Sequence, residues 1–445
     1  MPTEDGQEAE LLLRVIERAD RVLLKKLSNN DRDWSTNPRK HQGGVYIHAE
    51  TRDGGFFPPL VPKPRTEIGA REIREIFLRT IWPQFENVEK ESKLTHYTSK
   101  GQETHLTRLL KEAFSMLPPA SFFLMARVRG DGQTRYICLT IASDTEEAQL
   151  LVDMFDLEPE FVVGDFEPQA VAAAEREHVL TFSEELVNAW LSGTFEDFSI
   201  PYSTIPDPET LARAAQNEFF RLTEYRSLNP FIMDTPGDDL ERISRKIELL
   251  ILKDFERRTA AVRLVRTILG TTPRHISPAG LLSLIVENVH NIDKLMLSLS
   301  QTRRARAGRS FELHIERMLS DGEIPFQRQA VLATGKRPDF VLPSLPALDA
   351  DPDCGAFILS SKTTLRERWK QVEREMGGKR LYLATVDESI PRASIREMAS
   401  IGIQLVIPER LLRAKETEYD GHENVHTMKS FCERVIRPSL RVWSS

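Results

Sequence analysis

The spacing of apolar and polar positions changes along the chain, and each change marks a different architecture. Up to about residue 165, segments such as Val45–His48, Ser121–Val128 and Arg135–Ala142 alternate apolar and polar residues with the two-residue period of half-buried strands. They follow an opening stretch, Glu10–Leu27, that reads as one helix. The acidic, alanine-rich run 165–180 and the turn-forming SGT, IPY and PDP triplets beyond it predict a linker near 170–200. From Asp207 to about Ser300 the period becomes helical. Ile243, Ile247, Leu250 and Ile251 share one face within Asp239–Thr259, and Leu281–Leu299 repeats the pattern. Core packing accounts for both stripes, and docking of a second subunit is the other use open to them.

The last third mixes the two periods. It reads as a helix (Ser310–Leu319), a strand pair around the Thr334-Gly335-Lys336 turn, and an apolar strand Ala356–Leu359. A helix Leu365–Met376, a strand Arg380–Thr385, a helix Pro391–Ser400 and a strand Ile403–Ile407 follow. Helices flanking a small mixed sheet give an α/β C-terminal part behind a β-rich N-terminal one. A chain of 445 residues exceeds what one core usually supports, in keeping with two domains.

Composition narrows the class. Hydrophobic residues at 40% and charged residues at 29% are ordinary for globular proteins. Cys138, Cys354 and Cys432 are far apart and lack zinc or disulfide-framework spacing, which suits a reducing compartment. The N-terminus is acidic, and no apolar run approaches the roughly 18 residues that span a bilayer, so a cytoplasmic location without membrane contact is expected. A net charge of −7 argues mildly against a nucleic-acid partner, yet the basic residues cluster. Residues 303–309 (RRARAGR) hold four arginines, and Lys362–Arg380 holds seven basic residues against three acidic ones.

Four charged residues stand at the ends or margins of the C-terminal elements: Glu312, Asp339, Lys362 and Glu375. Phosphodiester hydrolysis needs a divalent cation, for which carboxylates are the usual Mg²⁺ ligands, and it gains from a cation near the developing charge. Asp339 follows Pro338, which biases Arg337 toward extended geometry, and Lys362 ends the apolar strand AFILSSK. If those strands pair, both leave the sheet at one edge. In the helix after Lys362, Leu365, Trp369, Val372 and Met376 define the packing face, and Glu375 and Arg368 fall about 20° apart on its margin. Glu312 sits beside the stripe Phe311, Ile315, Met318 and Leu319. By spacing alone, surface salt bridges are the leading explanation of these residues.

The runs RRARAGRSFELHIERML (303–319), GKRPDFVLPS (335–344) and SKTTLRERWKQVEREM (361–376) resemble, in order and spacing, segments of EcoRII-type restriction endonucleases. That family lies in the PD-(D/E)XK nuclease superfamily, in the branch whose second acid has moved onto the helix after the lysine. Here the usual acidic position two residues before the lysine is Ser360, and Glu375 stands thirteen residues after Lys362. The resemblance implies an α/β nuclease core in which Asp339 and Glu375 are Mg²⁺ ligands. It makes Lys362 the residue that orients and activates water, and Glu312 an auxiliary acid. It also implies base contacts from Arg366, Glu367 and Arg368, since arginine pairs with guanine O6 and N7 and a carboxylate accepts from cytosine N4. The likeness favours a target with G·C pairs at its ends. Arg303, Arg304, Arg306 and Arg309 are then candidates for holding phosphates, an exposed helix N-terminus being the other reading.

The segments LKKLSNND (24–31), HQGGVYI (41–47) and SKGQETHLTRL (99–109) resemble the EcoRII effector-binding domain, a pseudobarrel related to plant transcription-factor domains. RDWSTNPRK (32–40) is inserted between the first two. By that likeness His41, Tyr46, Lys100, Glu103, His105 and Arg108 are DNA-contact candidates. The expected organisation is a pseudobarrel at 1–170, a linker at 171–200 and a catalytic domain at 201–445 that opens with helices at about 207–300. The expected protein is a Mg²⁺-dependent homodimeric type II endonuclease cutting a short palindromic or nearly palindromic site in double-stranded DNA, activated by further copies of that site. It needs no small-molecule cofactor beyond the metal. The alternatives are a nuclease directed to modified or structured DNA, a catalytically degenerate DNA-binding protein, and a structural role.

Overall fold

The computed structural model describes residues 4–36, 43–64, 72–98, 104–130, 132–333, 335–350, 355–365 and 378–443. The chain divides into two compact units. One is Met1–Ala173 with Glu388–Ile395 and Arg413–Gly421; the other is Ala174–Asp387 with Arg396–Leu412 and His422–Ser445.

In the first unit nine strands are described: β1 (Arg21–Lys26), β2 (Val45–Ile47), β3 (Val61–Pro62), β4 (Ile73–Trp82), β5 (Val88–Tyr97), β6 (Thr104–Thr107), β7 (Phe122–Gly130), β8 (Gln133–Ile141) and β9 (Val163–Phe166). They form one sheet in the order β2-β6-β5-β4-β8-β7-β1-β9, with β3 on β4. Among the described pairs only β4 with β8 is parallel. The helix expected over Glu10–Leu27 is two elements, a helix Glu4–Arg18 and the strand β1. Strand β1 lies between β7 and β9 and is apolar on both faces. Val22 and Leu24 pack with Leu12, Val15 and Ile16, while Leu23 and Leu27 join the cluster of Trp82, Phe114 and Phe123. A short run that is apolar on both sides has no period to separate strand from helix.

The second unit carries a mixed six-stranded sheet in sequence order: β10 (Gln327–Arg328), β11 (Phe340–Leu342), β12 (Phe357–Lys362), β13 (Leu381–Thr385), β14 (Ile403–Ile407) and β15 (Val425–Thr427). The first three strands pair antiparallel and β12 to β15 run parallel. Between β10 and β11 the chain reverses through a turn in which Leu332 N donates to Lys336 O and Gly335 takes a φ of +75°. That left-handed conformation suits glycine. The helix expected over Ser310–Leu319 is the end of a 33-residue helix, Val289–Asp321. Its Phe311, Ile315, Met318 and Leu319 are buried against Phe340, Leu342, Phe357 and Leu359 of the sheet. Of the helix expected over Leu365–Met376, residues 366–376 lie outside the described residues.

Two further expectations change in the helical part. The stretch read as a linker, 171–200, is helical over Pro168–Leu191 and again over Phe195–Ser199. Its alanine run favours a helix. Leu186, Trp190 and Phe195 then cluster with Val262, and the Trp190 indole donates to Gly270 O at 2.9 Å. In Asp239–Thr259, Ile243 and Ile247 are buried as expected, but Leu250 is exposed. A π-turn at Ile243–Ile247 interrupts the helix there, and its extra residue rotates the following stripe out of phase. Among the described residues no helix is long and apolar enough to cross a membrane.

Candidate active site

Asp339 immediately precedes β11, and Lys362 is the last residue of β12. Because these strands run antiparallel, with Phe340 opposite Leu359, the start of one lies beside the end of the other. The two side chains therefore meet at one edge of the sheet, with Lys362 Nζ 3.5 Å from Asp339 Oδ2. Ser361 donates to the same oxygen from its backbone N–H at 2.7 Å and its hydroxyl at 3.2 Å. Asp339 is thereby fixed in orientation, while its Oδ1 has no hydrogen bond among the described residues.

Glu312 enters from the long helix. That helix is locked by its buried apolar stripe and by His314, fully buried, whose Nδ1 meets Gln216 Nε2 at 3.1 Å and whose Nε2 meets Glu248 Oε2 at 2.9 Å. Glu312 is itself buried and accepts a 2.6 Å hydrogen bond from Arg309, with Arg328 Nε 3.4 Å from the same oxygen. Burial pushes its carboxyl above the ordinary glutamate value and repulsion from Asp339 adds to this, while Arg309 pulls the other way. Arg309 also reaches Glu209 at 2.9 Å, and Arg328 reaches Glu316 at 3.0 Å. The edge of the site is thus a chain of alternating charges.

The donor set is oxygen. Among the described residues Asp339 has one carboxylate oxygen without a hydrogen bond, Glu312 stands close enough to be repelled by it, and the hydroxyl of fully buried Ser360 has no hydrogen-bond partner. Hard oxygen donors of this kind suit Mg²⁺, which keeps several waters of its own. Among the described residues no group of three or more His, Cys, Asp or Glu side chains is arranged to hold a metal. The remaining acid candidate, Glu375, lies outside the described residues, as do Arg366, Glu367 and Arg368.

Two contributors escaped the sequence. Arg328 is a single arginine in a two-residue strand, with no spacing to mark it. Asp387 is buried and accepts a 2.6 Å hydrogen bond from Leu365 N, holding the chain just after Lys362. Its own backbone N–H donates to Thr385 Oγ1, and Thr385 lies opposite Lys362 in the β12–β13 register.

Arg303, Arg304 and Arg306 belong to the long helix, as does Arg309. In the first unit, His41, Lys100 and Glu103 lie outside the described residues. Tyr46 and His105 face each other across β2 and β6, with ring centroids 5.9 Å apart, and His48 lies 4.9 Å from Tyr46. Strand β2 is braced from the LKKLSNND segment: Asp31 accepts from Tyr46 N at 2.8 Å, and buried Lys25 hydrogen-bonds the Tyr46 carbonyl while pairing with Asp31 at 3.1 Å. Arg108 stands apart from this group, over the Phe77 ring and 3.5 Å from Glu91.

Residues 271–432, which contain all four acid and lysine candidates, match the family model described as EcoRII C terminal. The chain is 24% identical over 407 residues to the type II restriction enzyme EcoRII of Escherichia coli, covering 88% of each chain. It is 29% identical over 166 residues to the type II restriction enzyme SsoII of Shigella sonnei, covering 35% of this chain and 53% of that one. Among solved structures it is similar to metal-depleted Ecl18kI in complex with uncleaved, modified DNA. The TM-score is 0.47 and the identity 24%, over 57% of this chain and 85% of that one. Over most of its length the chain is therefore similar to a type II restriction enzyme, and its residues 271–432 match the model of the EcoRII C-terminal family.

Proposed function

We propose that this chain is a Mg²⁺-dependent type II endonuclease that hydrolyses both strands of a short, G·C-flanked palindromic or nearly palindromic site in double-stranded DNA. The observation that carries the reading is the pairing of Lys362 with Asp339 at the sheet edge, inside the segment that matches the EcoRII C-terminal model. Asp339 and Glu375 would hold the metal, which when bound polarises the phosphoryl oxygen and lowers the pKa of an attacking water. Lys362, one-third exposed and paired with Asp339, would orient the water and meet the charge developing on the phosphate. Ser361 keeps Asp339 from turning away, and Arg309 and Arg328 hold Glu312 as the auxiliary acid. Arg366, Glu367 and Arg368 read base edges, and the arginines of 303–309 hold phosphates.

The chain works as a homodimer, because one such site cuts one strand and a symmetric target calls for a two-fold partner. Residues 1–170 form the effector domain, a pseudobarrel that binds further copies of the site through the Tyr46 and His105 face and neighbouring loops. Residues 201–445 form the catalytic domain, joined to it through 171–200. The experiment is digestion of long unmethylated duplex DNA by the protein and by Lys362→Ala, with and without Mg²⁺, followed by sequencing of fragment ends. Metal-dependent fragments that share one end sequence and vanish in the variant are expected. Intact DNA with both proteins, whatever its methylation, while binding persists, would leave only a DNA-binding role.

A further inference from the structure

The helix that starts at Pro236 is tied to the carboxyl ends of two parallel strands, β13 and β14, at the same edge of the sheet where β12 ends in Lys362. Open α/β sheets place their chemistry at that edge. After β14, Glu409 accepts from the backbone N–H groups of Gly237 and Asp238 at 2.8 and 3.0 Å, and Arg410 N donates to Asp238 Oδ1 at 2.9 Å. After β13, Arg245 Nη1 donates to Val386 O at 3.2 Å. The link between these two attachments is Glu241, whose side chain is 1% exposed. Arg410 holds both of its oxygens, with Nη2 on Oε1 at 2.7 Å and Nε on Oε2 at 2.9 Å, and Arg245 Nη1 stands 3.3 Å from Oε1. Arg245 falls in the π-turn Ile243–Ile247, a departure from regular helix that is frequent at functional sites.

We propose that Glu241 and Arg245 are positioning residues for Lys362, fixing the end of β13 against which Lys362 is set. The inference deepens the nuclease reading and rests on it for the role of Lys362. Thr385 lies opposite Lys362 in the β12–β13 register, and Asp387, two residues on, accepts from Leu365 N at 2.6 Å. The carbonyl gripped by Arg245 therefore belongs to the residue between the one beside Lys362 and the one that anchors the chain after it. A buried Arg–Glu–Arg arrangement is a poor source of stability, because desolvation offsets much of the Coulomb gain and apolar residues of similar volume often serve as well. What it supplies here is direction: the Arg410 fork sets the Glu241 carboxylate, and the carboxylate sets Arg245. Arg245 uses one nitrogen for both contacts, so a lysine ammonium can stand in for it, whereas Arg410 engages through two nitrogens in a fixed plane.

The test uses the full chain with Arg245→Ala, Arg245→Lys and, as control, Arg263→Ala, which removes another arginine-to-carbonyl contact, to Ser203 O at 3.1 Å. Two readouts are taken: single-turnover cleavage at saturating protein and Mg²⁺, and hydrogen exchange over residues 357–365 without DNA or metal. Arg245→Ala leaves Glu241 paired with Arg410, so the fold is retained. It is expected to lower the cleavage rate about 100-fold at unchanged DNA affinity, the scale of loss that a small misplacement of a reacting group produces. Exchange at the end of β12 should quicken at least about tenfold, as local opening there becomes easier. Arg245→Lys should restore most of both, and Arg263→Ala should match the native chain. Native protection of 357–365 in Arg245→Ala, or losses that Arg245→Lys does not recover, would overturn the proposal. A native chain that cleaves no DNA would end the nuclease reading, and the exchange measurement would still decide whether Arg245 places the end of β12.

Discussion

Arg309 donates a 2.6 Å hydrogen bond to Glu312 one turn further along the same helix, and its other terminal nitrogen reaches Glu209 at 2.9 Å. Glu312 is buried and repelled by Asp339, so this guanidinium is the principal countercharge of its carboxylate. Because the folded-state pKa of Glu312 is raised, the folded chain holds that proton more tightly than the unfolded one. The associated stability is therefore present at acid pH and lost as pH rises through the folded value.

Arg309→Ala raises that pKa further, so its cost grows with pH. The variant is expected to melt close to the native protein below about pH 4.5, the ordinary glutamate value, and to be destabilised by about 1–3 kcal/mol near neutrality. Thermal unfolding at a series of pH values checks this. A deficit that does not change with pH would mean that Arg309 acts through packing rather than through the charge of Glu312.

With Lys362 in the proposed role of orienting the attacking water, Lys362→Ala is expected to lower single-turnover cleavage by about 10²–10⁴-fold while leaving DNA affinity within a few fold. Lys362→Arg should not restore the rate, since a planar guanidinium cannot occupy the place of a compact ammonium 3.5 Å from Asp339 Oδ2. Full activity in either variant would remove Lys362 from the chemistry.

Asp387→Ala leaves the buried N–H of Leu365 without its 2.6 Å acceptor, a loss of about 1–3 kcal/mol. The segment it releases begins just after Lys362 and continues into Arg366, Glu367 and Arg368. Discrimination between the target and single-mismatch sites should therefore weaken more than overall affinity. Competition binding with matched and mismatched duplexes measures it, and an unchanged ratio would confine Asp387 to stability.

In the first unit, Asp31→Ala strips buried Lys25 of its partner at 3.1 Å and Tyr46 N of its acceptor. The expected loss is about 3–5 kcal/mol, larger than for Lys25→Met, which removes the charge itself. Burial already holds the Lys25 ammonium below its usual pKa. The unfolded chain therefore holds that proton more tightly than the folded one, so the cost of burying Lys25 is present at lower pH and relieved as pH rises through the folded value. Urea unfolding of the two variants compares them, and equal losses would count against an electrostatic brace under β2.

The sequence by itself determined the local and periodic features: the apolar stripe that seats the long helix, the strand that ends at Lys362, and the Pro338–Asp339 entry into β11. Each follows from residue period or from a fixed φ, which act over a few residues. Motif order then carried the family resemblance. The sequence misplaced β1, whose Val22, Leu23 and Leu24 are buried on both faces, and missed the phase shift that turns Leu250 outward, because neither leaves a period to read. Only the tertiary structure decided that antiparallel pairing of β11 with β12 would bring Asp339 to Lys362. It also decided that Arg309 and Arg328 would converge on Glu312, and that Asp387 would reach Leu365 across 22 residues of chain. Those contacts join residues far apart in sequence, and their geometry is set by strand register and helix packing, which no local pattern encodes.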